Sequence, residues 1–424
     1  MLNTVSIIGL GYIGLPTATL LAIRKVRVIG VDISPSIVDT INRGDMHFVE
    51  PELDILVRAA VGAGYLRAAM QPEPADAFII AVPTPLTEGL KPDVRSIETA
   101  VKSIAPVLKA GNLVILESTS PVGTTERLAH WLAELRPDLT FPQQAGDTSD
   151  IRIAYCPERV MPGRVVHELV SNDRVIGGMT PACSEAAVLL YRWFVQGECV
   201  ITDVRVAEMC KLTENSFRDV NIAFANELSM ICDEQGIDVW ELIRLANRHP
   251  RVDILKPGCG VGGHCIAVDP WFIVNSAPAT AKLIAAARAV NDAKPEWVLQ
   301  KVDDAINDLK MDGMTASDIC IACFGLTFKA DIDDLRESPA LHITQAIAER
   351  HAGKVCVVEP NLDRLPDCIV EKGVVRMDLD AALDQADILV LLVDHAQFKS
   401  VSRPHTRRRR IIDTRGVWER KHGQ

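Results

Sequence analysis

The tightest constraint on what this chain can fold into is the stretch VSIIGLGYIG, Val5 to Gly14. A short β-type apolar run ends in Gly9, Gly11 and Gly14, a helical pattern (LPTATLLAI) opens at once, and Asp32 closes the next apolar run, VRVIGVD. Strand, glycine turn, helix, strand and acid in that order make a βαβ unit of a parallel sheet. This is the context in which G-x-G-x-x-G specifies a dinucleotide site. Gly9 permits the tight turn, Gly11 lets backbone approach a pyrophosphate, and Gly14 lets helix and strand pack closely, with the phosphates at the helix N-terminus. Asp32 is placed to hold ribose hydroxyls and its charge repels a 2′-phosphate, so the expected cofactor is NAD rather than NADP.

The alternation continues through DAFIIAVP, NLVILEST and IRIAYCPE, and residues 1–198 read as one Rossmann domain. Long helical periodicity then takes over. Val206, Met209, Phe217, Val220, Phe224, Leu228 and Ile231 recur three to four apart, predicting one helix over VAEMCKLTENSFRDVNIAFANELSMICDEQG, and a second covers TAKLIAAARAVNDAKPEWVLQKV. Residues 199–305 are therefore a central helical region, a spacer or dimerisation element. Strands return in ICIACFG, KVCVVEP, DILVLLVD and RRIIDTRG, but only Gly325 survives of a glycine fingerprint, so residues 306–424 read as a second doubly wound domain binding something other than a dinucleotide. The fold class is α/β: two Rossmann-like doubly wound parallel-sheet domains joined by a central helical region.

A net charge of −11 argues against a nucleic-acid or anionic-membrane partner, with Arg407 to Arg410 as the one basic run suited to phosphate. No stretch approaches the ~20 apolar residues of a membrane span and the start has no signal-peptide pattern, so the expected compartment is the cytoplasm. The eleven scattered cysteines read mainly as small buried hydrophobes. Cys320 and Cys323 form a CxxC inside an apolar run with no further ligands at metal spacing, so no metal is expected.

A second glycine cluster, GCGVGGHCIAVDP from Gly258 to Pro270, repeats the fingerprint pattern after NRHPRVDILKPG, where no strand delivers it. It is not a dinucleotide turn. Its glycines suit close backbone approach or positive φ beside a reactive residue, and Cys265, just after Gly262, Gly263 and His264, is the candidate nucleophile; burial as a plain core thiol is the alternative. Lys211, Asn215 and Arg218 stand at i, i+4 and i+7, on one helix face opposite the apolar residues. Adjacent lysine and asparagine can polarise or protonate an oxygen whose charge changes during reaction; a solvated helix face is the other reading.

The ordered set GLGYIGLP, VPTP, ESTSPVGTT, YCPERVMPG, EMCKLTENSFRDVNIAFANEL, GVGGHCIAVDP and FGLTFKADIDDLRESPA resembles the nucleotide-sugar 6-dehydrogenases that include UDP-glucose and GDP-mannose dehydrogenases, across essentially the whole chain. NRHPRV, GGHCIAVDPWF and LVDHAQFK resemble the branch acting on UDP-N-acetylhexosamines; UDP-glucose as substrate stays open. The resemblance implies a four-electron oxidation at C6 through a thiohemiacetal and thioester on Cys265, with Lys211 and Asn215 stabilising oxyanions, Glu158 helping to activate water, and Thr119 and Asp269 holding water and orienting the site. It implies NAD contacts at Gly9, Gly11, Tyr12, Ile13, Gly14, Asp32, Thr84, Thr125 and Arg336. It implies substrate contacts at Arg159, Val160, Lys211, Asn215, Arg218, His249, Arg251, Gly262, Phe328, Lys329 and Arg415, with UDP on the third domain beside the first and a homodimer through the central region. A two-electron β-hydroxyacid dehydrogenase, which lacks the cysteine and third domain, and a catalytically silent NAD-binding regulator are the rivals.

Overall fold

The computed structural model describes residues 3–161, 163–263, 265–401 and 409–418. The first sheet has eight strands: β1 (Thr4–Ile8), β2 (Arg27–Val31), β3 (Leu66–Ala69), β4 (Ala77–Ile80), β5 (Leu113–Leu116), β6 (Arg152–Tyr155), β7 (Arg174–Gly178) and β8 (Cys199–Asp203). Their order is β3-β2-β1-β4-β5-β6-β7-β8, parallel from β3 to β6, with β7 antiparallel to β6 and β8 parallel to β7. The central strands are apolar at every position because both faces are covered. Along β4, Ala77 and Ile79 join the core on one face while Phe78 and Ile80 join the core on the other.

The turn after β1 admits only glycine at two places. Gly9 has φ 96°, and a Cβ on Gly14 would lie 1.8 Å from the Gly9 carbonyl oxygen, where the helix Gly14–Ile23 starts. Asp32, just past β2, accepts the Leu10 N–H at 3.0 Å and the Ser34 N–H at 2.9 Å, tying the two strand ends together.

The second sheet, β9 (Ile321–Phe324), β10 (Val355–Val358), β11 (Val375–Arg376), β12 (Ile388–Leu391) and β13 (Arg410–Asp413), is wholly parallel in the order β11-β10-β9-β12-β13. It repeats the first sheet's turn in detail. Gly325 has φ 89°, the Leu326 N–H donates to Glu359 at 2.6 Å, and the Asn361 N–H donates to Glu359 at 2.9 Å, matching Gly9, Leu10, Asp32 and Ser34. Here the acid is shut in: Glu359 and His395 are both buried, their side chains 3.2 Å apart, and Val393 stands 2.4 Å from where a Gly325 Cβ would lie. No ribose can reach that carboxylate, which accounts physically for the missing fingerprint.

The long helix Val204–Glu234 leaves β8 directly. Its amphipathicity is inverted. The buried seam is Ala207, Glu208, Lys211, Leu212, Ser216, Asp219, Ala223, Asn226 and Ser229, small or polar for the most part, while Val206, Phe217 and Phe224 are 52, 69 and 53% exposed. Helices Val239–Ala246, Asp269–Ser276 and Lys282–Met311 follow, the last with Pro295 inside it. Two compact units result: Met1–Glu214 with Trp271–Ser276, and Asn215–Pro270 with Ala277–Gln424. Among the described residues no helix is long and apolar enough to cross a membrane.

Candidate active site

In the first unit the turn Gly9–Gly14 is prepared for a diphosphate. A Cβ on Gly11 would meet nothing within 4 Å, so this backbone faces open space at the start of a helix, and Tyr12 stacks on Phe48 with ring centroids 4.3 Å apart. Ile13 is the residue before the helix and Asp32 is half-buried beside the turn. An open glycine at a helix N-terminus with an oriented acid one strand away fits NAD. Thr84 donates to the Thr119 carbonyl at 2.5 Å, joining the loops after β4 and β5.

Thr125 lies buried in the first turn of the helix Thr124–Leu135, and its polar groups point to Glu208. The Thr125 N–H and hydroxyl donate to Glu208 at 2.8 and 2.7 Å, and the Gly123 N–H donates at 2.6 Å. A carboxylate three residues before Lys211 thus satisfies the open N–H groups of another helix start.

Glu158 follows β6 and is buried, with Oε1 lacking a hydrogen-bond partner among the described residues. Burial pushes its carboxyl up to about 7, opposed by the charges of Lys211 and Arg174 and reinforced by Glu117. A carboxyl poised near neutrality is suited to proton transfer. Beneath it Arg174 pairs with Glu117 at 3.2 Å, the Tyr191 hydroxyl donates to Glu117 at 2.6 Å, and the guanidinium lies 4.7 Å over the Tyr191 ring. Lys211 is buried in the helix seam. Arg159 pairs with Glu214 at 2.6 Å, and Val160 is half-buried next to it.

In the second unit the loop from Gly258 is packed, not slack. A Cβ on Gly262 would lie 2.5 Å from the Glu337 carbonyl oxygen and 2.7 Å from the Phe328 Cβ; Gly263 has φ 79° and its N–H donates to the Arg336 carbonyl at 3.1 Å. Arg415 donates to Asp394 at 2.9 and 2.7 Å and to the Pro257 carbonyl at 3.4 Å, passing through the space a Gly258 side chain would fill. Cys259 is buried, donates to the Leu392 carbonyl at 3.5 Å and is pushed up to about 11 by burial, so it is a packing thiol. Cys265 is exposed. Its carbonyl accepts the Val268 and Asp269 N–H groups at 3.1 and 2.8 Å, and the buried Asp269 carboxylate accepts from the Asn215 amide.

Arg218, His249, Arg251 and Lys329 are exposed within this unit, and Arg336 is held by Asp334 at 2.5 Å. His264 lies outside the described residues, as do Arg407 and Arg408. Arg409 donates to the Asp384 carbonyl at 2.6 Å and Arg410 pairs with Asp312 at 3.0 Å, so the described part of that basic run is engaged by the protein itself. Among the described residues no group of side chains could hold a metal ion.

Sequence reasoning missed Glu208, the Glu117–Arg174–Tyr191 cluster and the polar seam of the long helix. The signal was available for the seam: Glu208, Lys211, Asn215, Asp219 and Asn226 recur at helical spacings, and a polar stripe can be the buried one when its groups are mutually bonded.

Three family models match the chain in sequence: the NAD binding domain of the UDP-glucose/GDP-mannose dehydrogenase family over residues 3–195, its central domain over 205–293 and its UDP binding domain over 322–420. The chain belongs to the UDP-glucose/GDP-mannose dehydrogenase family. It is an NAD-dependent oxidoreductase acting on a nucleotide sugar. A UDP-N-acetyl-D-mannosamine dehydrogenase of Yersinia pestis is 63% identical over 98% of this chain and 99% of its own length. An NDP-N-acetyl-D-galactosaminuronic acid dehydrogenase of Ralstonia nicotianae is 62% identical over 99 and 97%. Among solved structures, the UDP-D-ManNAc dehydrogenase of Pyrococcus horikoshii superposes with a TM-score of 0.87 at 38% identity, covering 98% of this chain and 96% of that one.

Proposed function

We propose that the chain oxidises the C6 hydroxyl of UDP-N-acetyl-D-mannosamine to the carboxylate, supplying a uronate for surface polysaccharide. The observation carrying the reading is the exposed Cys265 at the end of a rigidly packed glycine loop, in a chain that also buries an acid, Glu158, at about 7. The overall balance is R–CH2OH + 2 NAD+ + H2O giving R–COO− + 2 NADH + 3 H+. When bound, NAD accepts the hydride that leaves C6 in each half of the reaction.

The chain's residues do the rest. Lys211 and Asn215, one turn apart on the long helix, steady the oxygen as the alcohol loses its proton and again as Cys265 thiolate adds to the aldehyde carbon. The covalent adduct retains a reactive aldehyde and converts it into a second hydride donor, leaving a thioester. Glu158 takes a proton from the water that cleaves the thioester and frees the thiol. Thr119 and Asp269 orient water and Asn215, in keeping with the Asn215–Asp269 bond. Gly9, Gly11, Tyr12, Ile13, Gly14, Asp32, Thr84, Thr125 and Arg336 serve NAD, with Thr125 acting through the helix start it shares with Glu208. Arg159, Val160, Arg218, His249, Arg251, Gly262, Phe328, Lys329 and Arg415 serve the sugar nucleotide, UDP resting on the third of three parts, 1–198, 199–305 and 306–424.

We also infer a homodimer through the long helix, since Val206, Met209, Phe217, Phe224 and Ile231 form an exposed apolar stripe that a second copy would cover. A thiolate nucleophile and NAD belong together in a reducing compartment, and we place the enzyme in the cytoplasm on that ground. Purified protein with each of UDP-N-acetylmannosamine, UDP-N-acetylgalactosamine, UDP-N-acetylglucosamine and UDP-glucose tests the reading: two NADH per sugar with the first, lost in Cys265→Ser, are expected. One NADH per sugar sinks the four-electron mechanism, and a preference for another sugar moves the substrate.

A further inference from the structure

The long helix grips the glycine loop at both ends. Asn226 Oδ1 accepts the Gly258 N–H at 2.9 Å where the loop begins, and the Asn215 amide donates to Asp269 where it ends. Residues 215 and 226 are separated by about three helical turns, so both side chains leave the same face, about 16 Å apart along the axis.

The Asn226 side chain is itself fixed. Its Nδ2 donates to Asn291 Oδ1 at 2.9 Å, Asn291 Nδ2 donates to Asp219 Oδ1 at 2.8 Å, and Arg288 Nη1 donates to the same Asp219 oxygen at 2.7 Å. All four residues are buried. A buried ion pair and two amides are no more stabilising than apolar residues of the same volume, so their contribution here is direction. Each donor fixes the next acceptor, and the last acceptor fixes one backbone N–H. The seam is committed: turning the Asn226 amide over would set its oxygen against Asn291 Oδ1 and its NH2 against the Gly258 N–H.

We propose that Asn226 is a positioning residue for Cys265: by fixing Gly258, with Asn215 at the far end, it holds the loop Gly258–Asp269 in the conformation that presents the thiol to the aldehyde. The inference rests on the thioester chemistry proposed above. The first oxidation moves a hydride from C6 to NAD and a proton to solvent, and needs no thiol; the second needs the C–S bond. A loop loosened at its root leaves the first step running while aldehyde escapes as its hydrate.

The test uses the full chain with Asn226→Leu, which keeps volume and removes the acceptor, and Val358→Ala in β10 as a core-destabilising control in the core on the other face of the second sheet from Cys259. Two readings are taken: NADH per UDP-N-acetyl-D-mannosamine with aldehyde trapped by hydroxylamine, and the rate of Cys265 alkylation by iodoacetamide without substrate. For Asn226→Leu the expected yield lies between one and two NADH with trapped aldehyde, kcat falls at least 10-fold, and alkylation changes several-fold. Val358→Ala keeps two NADH and the wild-type alkylation rate. Two NADH and an unchanged alkylation rate in Asn226→Leu overturn the proposal. If that variant does not fold, Asn226→Ser, too short to reach Gly258, carries both readings. One NADH from the wild type overturns the four-electron mechanism instead, and the alkylation rates alone then decide whether Asn226 positions Cys265.

Discussion

Lys294 invites a quantitative prediction. It lies one residue before Pro295 inside the helix Lys282–Met311, is buried, donates to the Ser229 hydroxyl at 2.5 Å and stands 3.6 Å over the Trp297 ring. Burial lowers its amine from a lysine's ordinary 10.5 to about 7, opposed by Cys259 and Asp233 and reinforced by Lys301. The unfolded chain therefore holds the proton more tightly. Stability falls as pH drops from about 10.5 to about 7 and is level below that, for a total loss of up to about 5 kcal/mol at 1.4 kcal/mol per pH unit. Lys294→Met fills the volume and removes the titration, at the loss of about 1 kcal/mol for the Ser229 bond. Because every other group titrates in both proteins, the stability difference between variant and wild type isolates this one. Urea unfolding at pH 9.0 and 6.5, followed by tryptophan fluorescence, should show that difference widening in the variant's favour by about 2.5 kcal/mol towards the lower pH. Parallel pH dependences would refute the reasoning and show that Lys294 stays charged in the fold.

Other consequences are as direct. Wild-type turnover should rise with a midpoint near pH 7 as the Glu158 carboxyl ionises, and Glu158→Gln should remove that rise and lower kcat about 100-fold or more, read from pH–rate profiles. Glu208→Ala strands the Gly123 and Thr125 N–H groups, so thermal unfolding should report a loss of about 3 kcal/mol and titration with NAD a weaker affinity. Gly262→Ala forces a Cβ against the Glu337 carbonyl and Phe328; a loss of about 2 kcal/mol and of activity is expected in unfolding and rate measurements, and wild-type behaviour would mean the loop is slack. Phe224→Asp should convert a dimer to monomer in light scattering, and a monomeric wild type would dispose of the dimer.

Much of this was readable in the residues. The strand–glycine–helix–strand–acid order gave β1, its turn and Asp32, because local sterics and the helix start leave little choice. β3, β7 and β8 escaped: LRAA and CVITD are short strands with exposed positions, and RVIGG carries two glycines, so none shows the continuous apolar run that marks β4 or β5. The long helix was placed almost to its ends, yet of the apolar residues that defined its period Val206, Met209, Phe217, Phe224 and Ile231 face outwards. Periodicity reports that a face exists, and only packing decides which face is inside. The spacing of Glu208 and Asn226 was legible but their roles were not, as these lie in backbone N–H groups 83 and 32 residues away in sequence. Cys259, six residues before Cys265, had no role legible in the sequence, and its burial makes it a core atom.

The closed cradle at Glu359 has a consequence for how the cofactor would be used. Two halves of one chain share a turn, an acid and the bonds between them, yet in one copy a histidine sits where a sugar hydroxyl would have to go. Of these two turns only Gly9–Gly14 is open to a dinucleotide, so on the four-electron chemistry proposed above both oxidations would draw on successive NAD molecules at that one turn, with the adduct proposed on Cys265 held while one leaves and the next arrives.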